Sequence, residues 1–191
     1  MITHLKGKLV EKNPTHVVIE CAGIGYFVNI SLNTFSKIAD HESILIYTHL
    51  QIKEDAHSLF GFADKAEREI FRLLLSVSGI GSSTARTMLS SLTPIQIRDA
   101  IASGDVPTIQ GIKGIGAKTA QRVIVDLKDK MLKFEFSSEN LFVSNNTERN
   151  DALTALVSLG FDKKSAEKAL DKVATGEETV EELIKGALKI L

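Results

Sequence analysis

The pattern of hydrophobic and polar positions changes after about the first third of the chain. Residues 1–62 contain five short runs that are rich in β-branched and aromatic residues, which is typical of β-strands. Beyond them, the apolar positions recur three and four residues apart, which is the period of an amphipathic helix. The predicted strands are Leu5–Glu11, Thr15–Cys21, Tyr26–Ser31, Ile44–Leu50 and His57–Phe62. Five short strands in so few residues predict a small closed barrel, and an OB-fold is the simplest choice.

Residues 63–134 are predicted to be entirely helical. The first helix runs from Asp64 to Val77, and Glu67 follows Asp64 at the spacing of a capping box. Thr93-Pro94 starts a helix over 95–102, because proline is favoured at the first helical position. Gly104 ends that helix, Asp105-Val106-Pro107 opens a short one, and a longer helix covers residues 118–130.

Two glycine-rich turns interrupt the helical segment, at Ser78–Gly81 and at Gly111–Gly116. Their matching glycines lie 35 residues apart, and each turn leads directly into a helix. Glycine permits positive φ and a close approach of the backbone to a ligand, and a helix start attracts anions. Either turn alone could be a simple helix cap, but the tandem pair favours binding of a phosphate backbone. The candidate contact residues are Ser78, Gly79, Ile80, Gly81, Ser82, Ser83, Gly114, Ile115, Gly116, Ala117, Lys118, Thr119 and Arg122.

The remainder of the chain divides into a spacer and a small helical segment. Residues 135–148 are rich in Ser, Asn and Glu without clear periodicity, so we expect a flexible linker. Residues 149–191 predict three short helices, over 151–159, 162–173 and 179–191. Gly160 is expected to end the first of them, and Asp162 to cap the second. The predicted fold class is therefore α+β and multi-domain: a barrel over 1–62, tandem hairpins over 63–134 and a three-helix mini-domain over 149–191.

The net charge of the whole chain does not support a nucleic-acid-binding role, but the net charges of its separate segments do. The 191 residues carry a net charge of −1, which by itself does not favour such a role. The net charges of 1–62, 63–134 and 135–191 are −1, +4 and −4, so the basic excess coincides with the two hairpins. One cysteine excludes an internal disulfide, and the five histidines have no metal-ligand spacing, so we expect neither a metal nor a cofactor. No apolar run has the length of a membrane span.

In order along the chain, several segments resemble the RuvA family, the Holliday-junction-binding subunits of the bacterial branch-migration machine. These segments are Gly7-Lys8-Leu9, Gly23-Ile24-Gly25-Tyr26, His57–Phe62 and the two hairpins. The resemblance covers essentially the whole chain. It implies a non-catalytic subunit that recognises four-way junctions by their shape, and a bacterial, cytoplasmic location. It also implies a homotetramer bound to the hexameric ATPase RuvB, and it leaves open a RuvC resolvase partner and an octamer of two tetramers.

The resemblance also assigns roles outside the hairpins. Glu54 and Asp55 occupy the place of an acidic pin that projects into the centre of the junction, although on residues alone they read as a solvated acidic turn. Leu156, Leu159 and Phe161 match the positions that dock RuvB, although they could equally form the core of the mini-domain. A three-helix mini-domain in this place resembles the ubiquitin-associated (UBA) type.

Both hairpins depart from the family pattern. Lys113 stands where proline is usual, and Ser82-Ser83 replace a common proline–lysine pair, so the first hairpin loses a basic contact. Arg86, one turn later, is a candidate to compensate for that loss.

Three other functions compete with this interpretation. An ATPase is disfavoured, because Ala117 interrupts the Gly-Lys-[Ser/Thr] ending of a phosphate-binding loop. Lys118 has the position of the nucleophile in helix-hairpin-helix DNA glycosylases, but the aspartate and the large surrounding helical domain of that family are lacking. A generic OB-type DNA-binding protein explains residues 1–62 but not the tandem hairpins.

Overall fold

The computed structural model describes residues 1–39, 43–134, 147–174 and 178–191. The chain forms two compact units, residues 1–137 and residues 138–191. Residues 135–146 of the predicted linker over 135–148 lie outside the described residues, so the linker and the domain boundaries remain predictions, but Thr147 and Glu148 belong to a helix and not to the linker. No helix in the described part of the chain is both long and apolar enough to cross a membrane.

The first unit begins with a closed five-stranded barrel, which confirms the predicted OB-type fold. Its strands are β1 (His4–Asn13), β2 (His16–Cys21), β3 (Ile24–Ile30), β4 (Ser43–Ile52) and β5 (His57–Phe62). They are arranged in the order β1-β2-β3-β5-β4, and β4 pairs with β1 to close the barrel. All pairs are antiparallel except β3 with β5. Aliphatic side chains that include Val17, Ile19, Val28 and Ile46 fill the interior.

A short helix between β3 and β4, α1 (Leu32–Lys37), was not predicted from the sequence. It has only six residues and no apolar period, so its hydrophobic pattern carries no helical signal. Its start is specified instead by Ser31, whose side chain accepts a hydrogen bond from the Thr34 N–H at 2.9 Å.

Five helices follow the barrel, as the sequence predicts. They are α2 (Lys65–Leu75), α3 (Ser82–Ser91), α4 (Pro94–Ser103), α5 (Val106–Gln110) and α6 (Ala117–Leu132). Thr93 and Gln96 form a capping box at the start of α4, and Gly104 ends that helix with φ of +80°. The buried faces of these helices form one apolar core, which also takes in Phe60 and Phe62 of β5.

The barrel and the helices are joined through α2. Phe71 is fully buried, and its ring centroid lies 4.9 Å from that of Phe62 and 5.2 Å from that of Phe60. A polar contact adds to this packing: fully buried Glu67 accepts hydrogen bonds from the hydroxyls of Ser31 (2.5 Å) and Thr34 (2.7 Å). These contacts fix the position of α2 against the barrel, and the first hairpin follows α2 directly.

The capping box predicted at Asp64 and Glu67 is wrong in one half. Asp64 does cap α2, since its carboxylate accepts a hydrogen bond from the Glu67 N–H at 2.7 Å. The Glu67 side chain, however, points to α1 rather than back to the Asp64 N–H. The hydroxyls of Ser31 and Thr34 give this buried carboxylate the hydrogen-bond partners that it needs. Both are distant in sequence, so the local pattern could not predict the contact.

The second unit is a three-helix bundle, as predicted. It contains α7 (Thr147–Ser158), α8 (Lys163–Val173) and α9 (Val180–Leu188). The predicted caps are confirmed, because Gly160 adopts φ of +100° after α7 and Asp162 accepts a hydrogen bond from the Ser165 N–H at 3.1 Å. Alanine and leucine side chains from all three helices make up a small core.

Glu67 should make stability depend on pH. Burial raises the pKa of its carboxyl above the ordinary 4.5, against the opposing effect of the hydrogen bonds from Ser31 and Thr34. Protonated Glu67 is therefore favoured in the folded state, and its contribution to stability is present below pH 4.5 and lost as pH rises through the raised pKa. Relative to Glu67→Gln, which does not titrate, the wild type should lose unfolding free energy across that window in urea titrations. Parallel pH profiles of the two proteins would contradict this assignment.

Candidate nucleic-acid interface

The two predicted hairpins have the same backbone design. Each begins with a buried aliphatic residue, Val77 or Ile112, whose carbonyl accepts a hydrogen bond from the N–H of the isoleucine three residues later. These N···O distances are 3.0 Å for Ile80 and 3.1 Å for Ile115. The residue that directly follows this isoleucine, a glycine in both copies, is the N-cap of the following helix. The 35-residue spacing in the sequence is thus a structural repeat.

The two glycines of each hairpin have different functions in the backbone. Gly79 and Gly114 have φ of +96° and +91°, a region that side-chain-bearing residues rarely adopt. Gly81 and Gly116 have φ of −90° and −83°, which any residue can adopt. A Cβ atom at either of these two positions would meet no other atom within 4 Å. Neither the φ angle nor steric crowding therefore requires glycine at 81 and 116, and the fold favours it there only through the modest N-cap preference for glycine over alanine.

Open backbone donors lie next to these second glycines. Neither Gly81 nor Gly116 provides a side-chain cap, and the first N–H groups of a helix have no partner within that helix. The donors belong to Ser82 and Ser83 at the start of α3, and to Ala117, Lys118 and Thr119 at the start of α6. Unpartnered N–H groups and a helix dipole are the two features that make a helix start suited to an anion, so these are two candidate anion positions.

The two isoleucines cannot contact a ligand as the sequence suggested. Ile80 and Ile115 are each 5% exposed and belong to the helical core, and their N–H groups are used within the turn. They anchor the hairpins instead. Gly79, Ser78 and Gly114 remain exposed at the tips.

The basic residues of the two copies differ in their availability. Lys118 is exposed and forms no ion pair with any described residue, while Arg122 lies one turn further along α6 with its Nε 3.6 Å from Asp126. Arg86 is not available to compensate for the missing lysine of the first hairpin. Its Nη1 donates hydrogen bonds to Asn29 Oδ1 at 2.9 Å and to the Thr15 carbonyl at 3.3 Å, so it fastens α3 to the barrel.

The acidic pair lies at the tip of the β4–β5 hairpin. Ile52 and His57 are the last paired residues, and the Lys53 N–H donates to the Ala56 carbonyl at 2.8 Å to close the turn. Glu54 and Asp55 are exposed at this tip. The described residues contain no group of three or more His, Cys, Asp or Glu side chains that could hold a metal ion.

In the C-terminal unit the three predicted docking residues occupy different environments. Leu156 is fully buried in the three-helix core, so it stabilises that core and cannot present a docking surface. Phe161 is partly buried against the same core, and its N–H donates to the Leu156 carbonyl at 3.2 Å. Leu159 is 63% exposed and is the one of the three that solvent reaches freely.

The barrel and the paired hairpins define a helix-hairpin-helix protein with an N-terminal OB-type domain. Family models match the chain in the same order: "RuvA N terminal domain" over residues 1–61, "SAM-like Helix-hairpin-helix tandem" over 71–129, and "RuvA, C-terminal domain" over 147–191. The three matched ranges correspond to the barrel, the hairpin segment and the three-helix unit.

Similar proteins match over the full length of both chains. Those of Christiangramia forsetii, Flavobacterium psychrophilum and Cytophaga hutchinsonii are 62%, 57% and 54% identical, with 100% of each chain covered. Each is named "Holliday junction branch migration complex subunit RuvA". The chain belongs to the RuvA family.

Proposed function

We propose that this chain is the non-catalytic, junction-binding subunit of a RuvA–RuvB branch migration complex that acts in homologous recombination and DNA repair. It binds four-way DNA junctions by their shape, through phosphates of the duplex arms, and directs the RuvB ATPase to them. The names of the full-length relatives support this assignment, and the two hairpins supply the chemistry for it.

The glycines at 81 and 116 carry the proposal. Their φ angles and their surroundings would accept alanine, so glycine leaves open space beside the first N–H groups of each helix that a ligand can occupy. A phosphate that reaches the first N–H groups of α3 and α6 would lie next to Gly81 and Gly116, which precede those groups in the chain. Such contacts hold a duplex in register without reading its bases.

Charge in the hairpin segment supports the same ligand. The net charge of +4 over residues 63–134 attracts the phosphate backbone, and Lys118 and Arg122 lie beside the second anion position. Lys118 is exposed, whereas a nucleophilic lysine needs a desolvated pocket or a second cation to lower its pKa. Its setting therefore favours a phosphate contact over glycosylase chemistry.

The exposed tip at Glu54 and Asp55 is proposed as the acidic pin. Two carboxylates at the end of a hairpin repel the phosphates of passing strands, because like charges at short range are unfavourable. In a homotetramer with one subunit on each arm, four such tips would meet at the junction centre. The four-fold arrangement of junction arms supports this symmetry.

The C-terminal unit is proposed to bind RuvB through Leu159 and Phe161, with Leu156 as the core residue beneath them. An apolar side chain that stays exposed on a small, separate unit suits a partner contact. A linker between this unit and the DNA-binding part would keep the motor at a high local concentration. The proposed location is the bacterial cytoplasm.

Junction recognition is tested by a band-shift titration against a duplex of equal length and ionic strength. The wild type should prefer the four-way junction without any nucleotide present. Gly81→Ala combined with Gly116→Ala should weaken junction binding by about tenfold or more and lower the melting temperature only modestly, since replacing glycine by alanine at an N-cap costs about 0.5–1 kcal/mol.

Gly25→Ala is the matched control for this double variant. It lies on the barrel, where an added Cβ would make only an ordinary 3.6 Å contact with Val18. The control should bind as the wild type does. Equal affinity of the wild type for junction and duplex would contradict shape recognition, and full binding by the double variant would contradict phosphate approach at the hairpins.

The pin is tested by neutralising both carboxylates with Glu54→Gln and Asp55→Asn. Removing charges that repel phosphate should leave junction affinity unchanged or raise it, and should weaken the opening of the junction centre. Fluorescent base analogues at the crossover report that opening directly. A large loss of affinity would mean that the tip binds the junction instead of separating its strands.

The partner surface is tested with Leu159→Ser. Because Leu159 is exposed, this change should preserve helicity and junction binding while it weakens capture of purified RuvB. Ile24→Ser, which alters a similarly exposed aliphatic residue on the barrel, should leave RuvB capture intact. Undiminished capture by Leu159→Ser would place the motor contact elsewhere.

A further inference from the structure

A basic cluster lies where α2 crosses β4, between the acidic tip and the first hairpin. Lys65, Arg68 and Arg72 are spaced three and four residues apart on α2, so they share one face of the helix. From β4, Tyr47 and His49 meet this face. The Lys65 Nζ and the Arg68 guanidinium lie 5.7 and 5.5 Å from the Tyr47 ring centroid, and the His49 ring packs edge-on against Phe71 at 5.5 Å.

One carboxylate only partly offsets these charges. Glu69 Oε1 lies 2.8 Å from Arg72 Nη1 and 3.5 Å from Arg68 Nε. Three cations thus face one anion, and the same guanidinium groups act on the histidine. Desolvation, and then Arg72 and Arg68, lower the pKa of His49, with Glu69 opposing them weakly. The local potential is therefore positive.

Two buried polar atoms in the cluster have no hydrogen-bond partner among the described residues: Nδ1 of His49 and Nε of Arg68. Buried polar atoms in folded proteins almost always have a partner, so each exception requires an explanation. The rest of Arg68 is held firmly, since its Nη1 donates to the Thr3 carbonyl at 2.9 Å and its side chain is only 13% exposed. Arg68 Nε lies out of solvent and faces only Glu69, so Arg68 contributes charge from a fixed position, and Arg72, at 31% exposure, is the guanidinium that an oxyanion can reach.

We propose that this cluster is a third DNA-phosphate site, in addition to the two hairpins, and that Arg72 is its principal contact. The inference rests on the proposed junction-binding function. Its ligand is a backbone phosphate of a strand that runs from the junction centre to a duplex arm.

The position of the cluster in the fold favours a DNA phosphate over a free anion. His49 lies on β4, five residues before Glu54 in the turn at the tip, or at most about 17 Å when extended, which corresponds to about five base steps. On the other side, α2 ends at Leu75 and the first hairpin follows at once. A DNA strand that runs from the acidic tip to the first hairpin would therefore pass over Arg72. A cation held in place there would bind the phosphates of this strand after it separates from its partner strand.

The first hairpin gives a further reason for such a site. Ser82 and Ser83 carry no charge, and Arg86 is fastened to the barrel, so this hairpin binds phosphate without a cation of its own. The cations of α2 immediately precede it. They supply the positive charge that the first hairpin itself lacks.

The test compares Arg72→Gln with Arg149→Gln in junction titrations over a series of salt concentrations. The two arginines have similar exposure, 31% and 33%, and each pairs with one carboxylate, but Arg149 belongs to the C-terminal unit. Arg72→Gln should raise the Kd for the junction about tenfold and reduce the salt slope by about 0.9 for each subunit bound. Arg149→Gln should change neither quantity.

Two further variants separate a phosphate contact from a structural role. Glu69→Gln removes the competing carboxylate and should tighten junction binding about threefold, whereas the loss of a structural ion pair would not tighten it. Arg72→Lys keeps the charge and should retain most of the affinity and the salt slope. Sedimentation of each variant reports its subunit assembly. In a separate titration, inorganic phosphate at about 10 mM is added as a probe for a free-anion site.

The possible results are distinct. If the wild type prefers junctions while Arg72→Gln and Arg149→Gln bind alike, the third site is wrong and the proposed function stands. If the wild type has no junction preference, both fall together. A changed sedimentation of Arg72→Gln would make the cluster a contact between copies of the chain. Binding of phosphate at the cluster with unchanged junction affinity would make it a free-anion site, and both of these results overturn the inference.

Discussion

The packing of Phe71 against Phe60 and Phe62 is the contact on which the arrangement of the first unit depends. It places α2 against the barrel, and the buried Glu67 pins the other end of the helix to α1. Truncating a buried aromatic residue of this kind costs about 3–5 kcal/mol, which is comparable to much of the stability of a small domain. With α2 fixed, the acidic tip on β4–β5 and the first hairpin have a defined separation. A shape-selective site requires that fixed separation more than it requires any particular side chain.

The fold class could be predicted from the sequence because the strand pattern of residues 1–62 and the helical pattern that follows it are both strong. The runs of β-branched residues and the amphipathic helices determine local structure, and the caps at Asp162, Thr93 and Gly160 act within a few residues. Helix α1 was missed because it is short and begins with a serine cap rather than an apolar stripe. The contact of Glu67 with Ser31 was missed for a different reason. It joins residues 36 apart, and no local pattern encodes such a partner.

The positions of the two hairpins could be predicted, but the part that each of their residues plays in the structure could not. The glycine repeat located both hairpins, yet residue type alone could not separate the glycines that need positive φ from those that leave space for a ligand. Nor could it show that Ile80, Ile115 and Leu156 point into cores, since an apolar residue next to a turn can be an anchor or a contact. Arg86 was misjudged because its partners, Thr15 and Asn29, come from the barrel.

The backbone origin of the proposed phosphate contacts explains why the two hairpins can differ in sequence. If phosphates are held by N–H groups at helix starts, the donors survive any substitution that preserves the turn, and the side chains only adjust the charge around them. Ser82 and Ser83 therefore weaken the first hairpin without removing it, and Lys113 adds charge to the second at the expense of a rigid turn. In such a design glycine is the residue that cannot be replaced, because a side chain would displace the phosphate itself. Basic side chains can then lie at other points along the path of the DNA strand, including on α2.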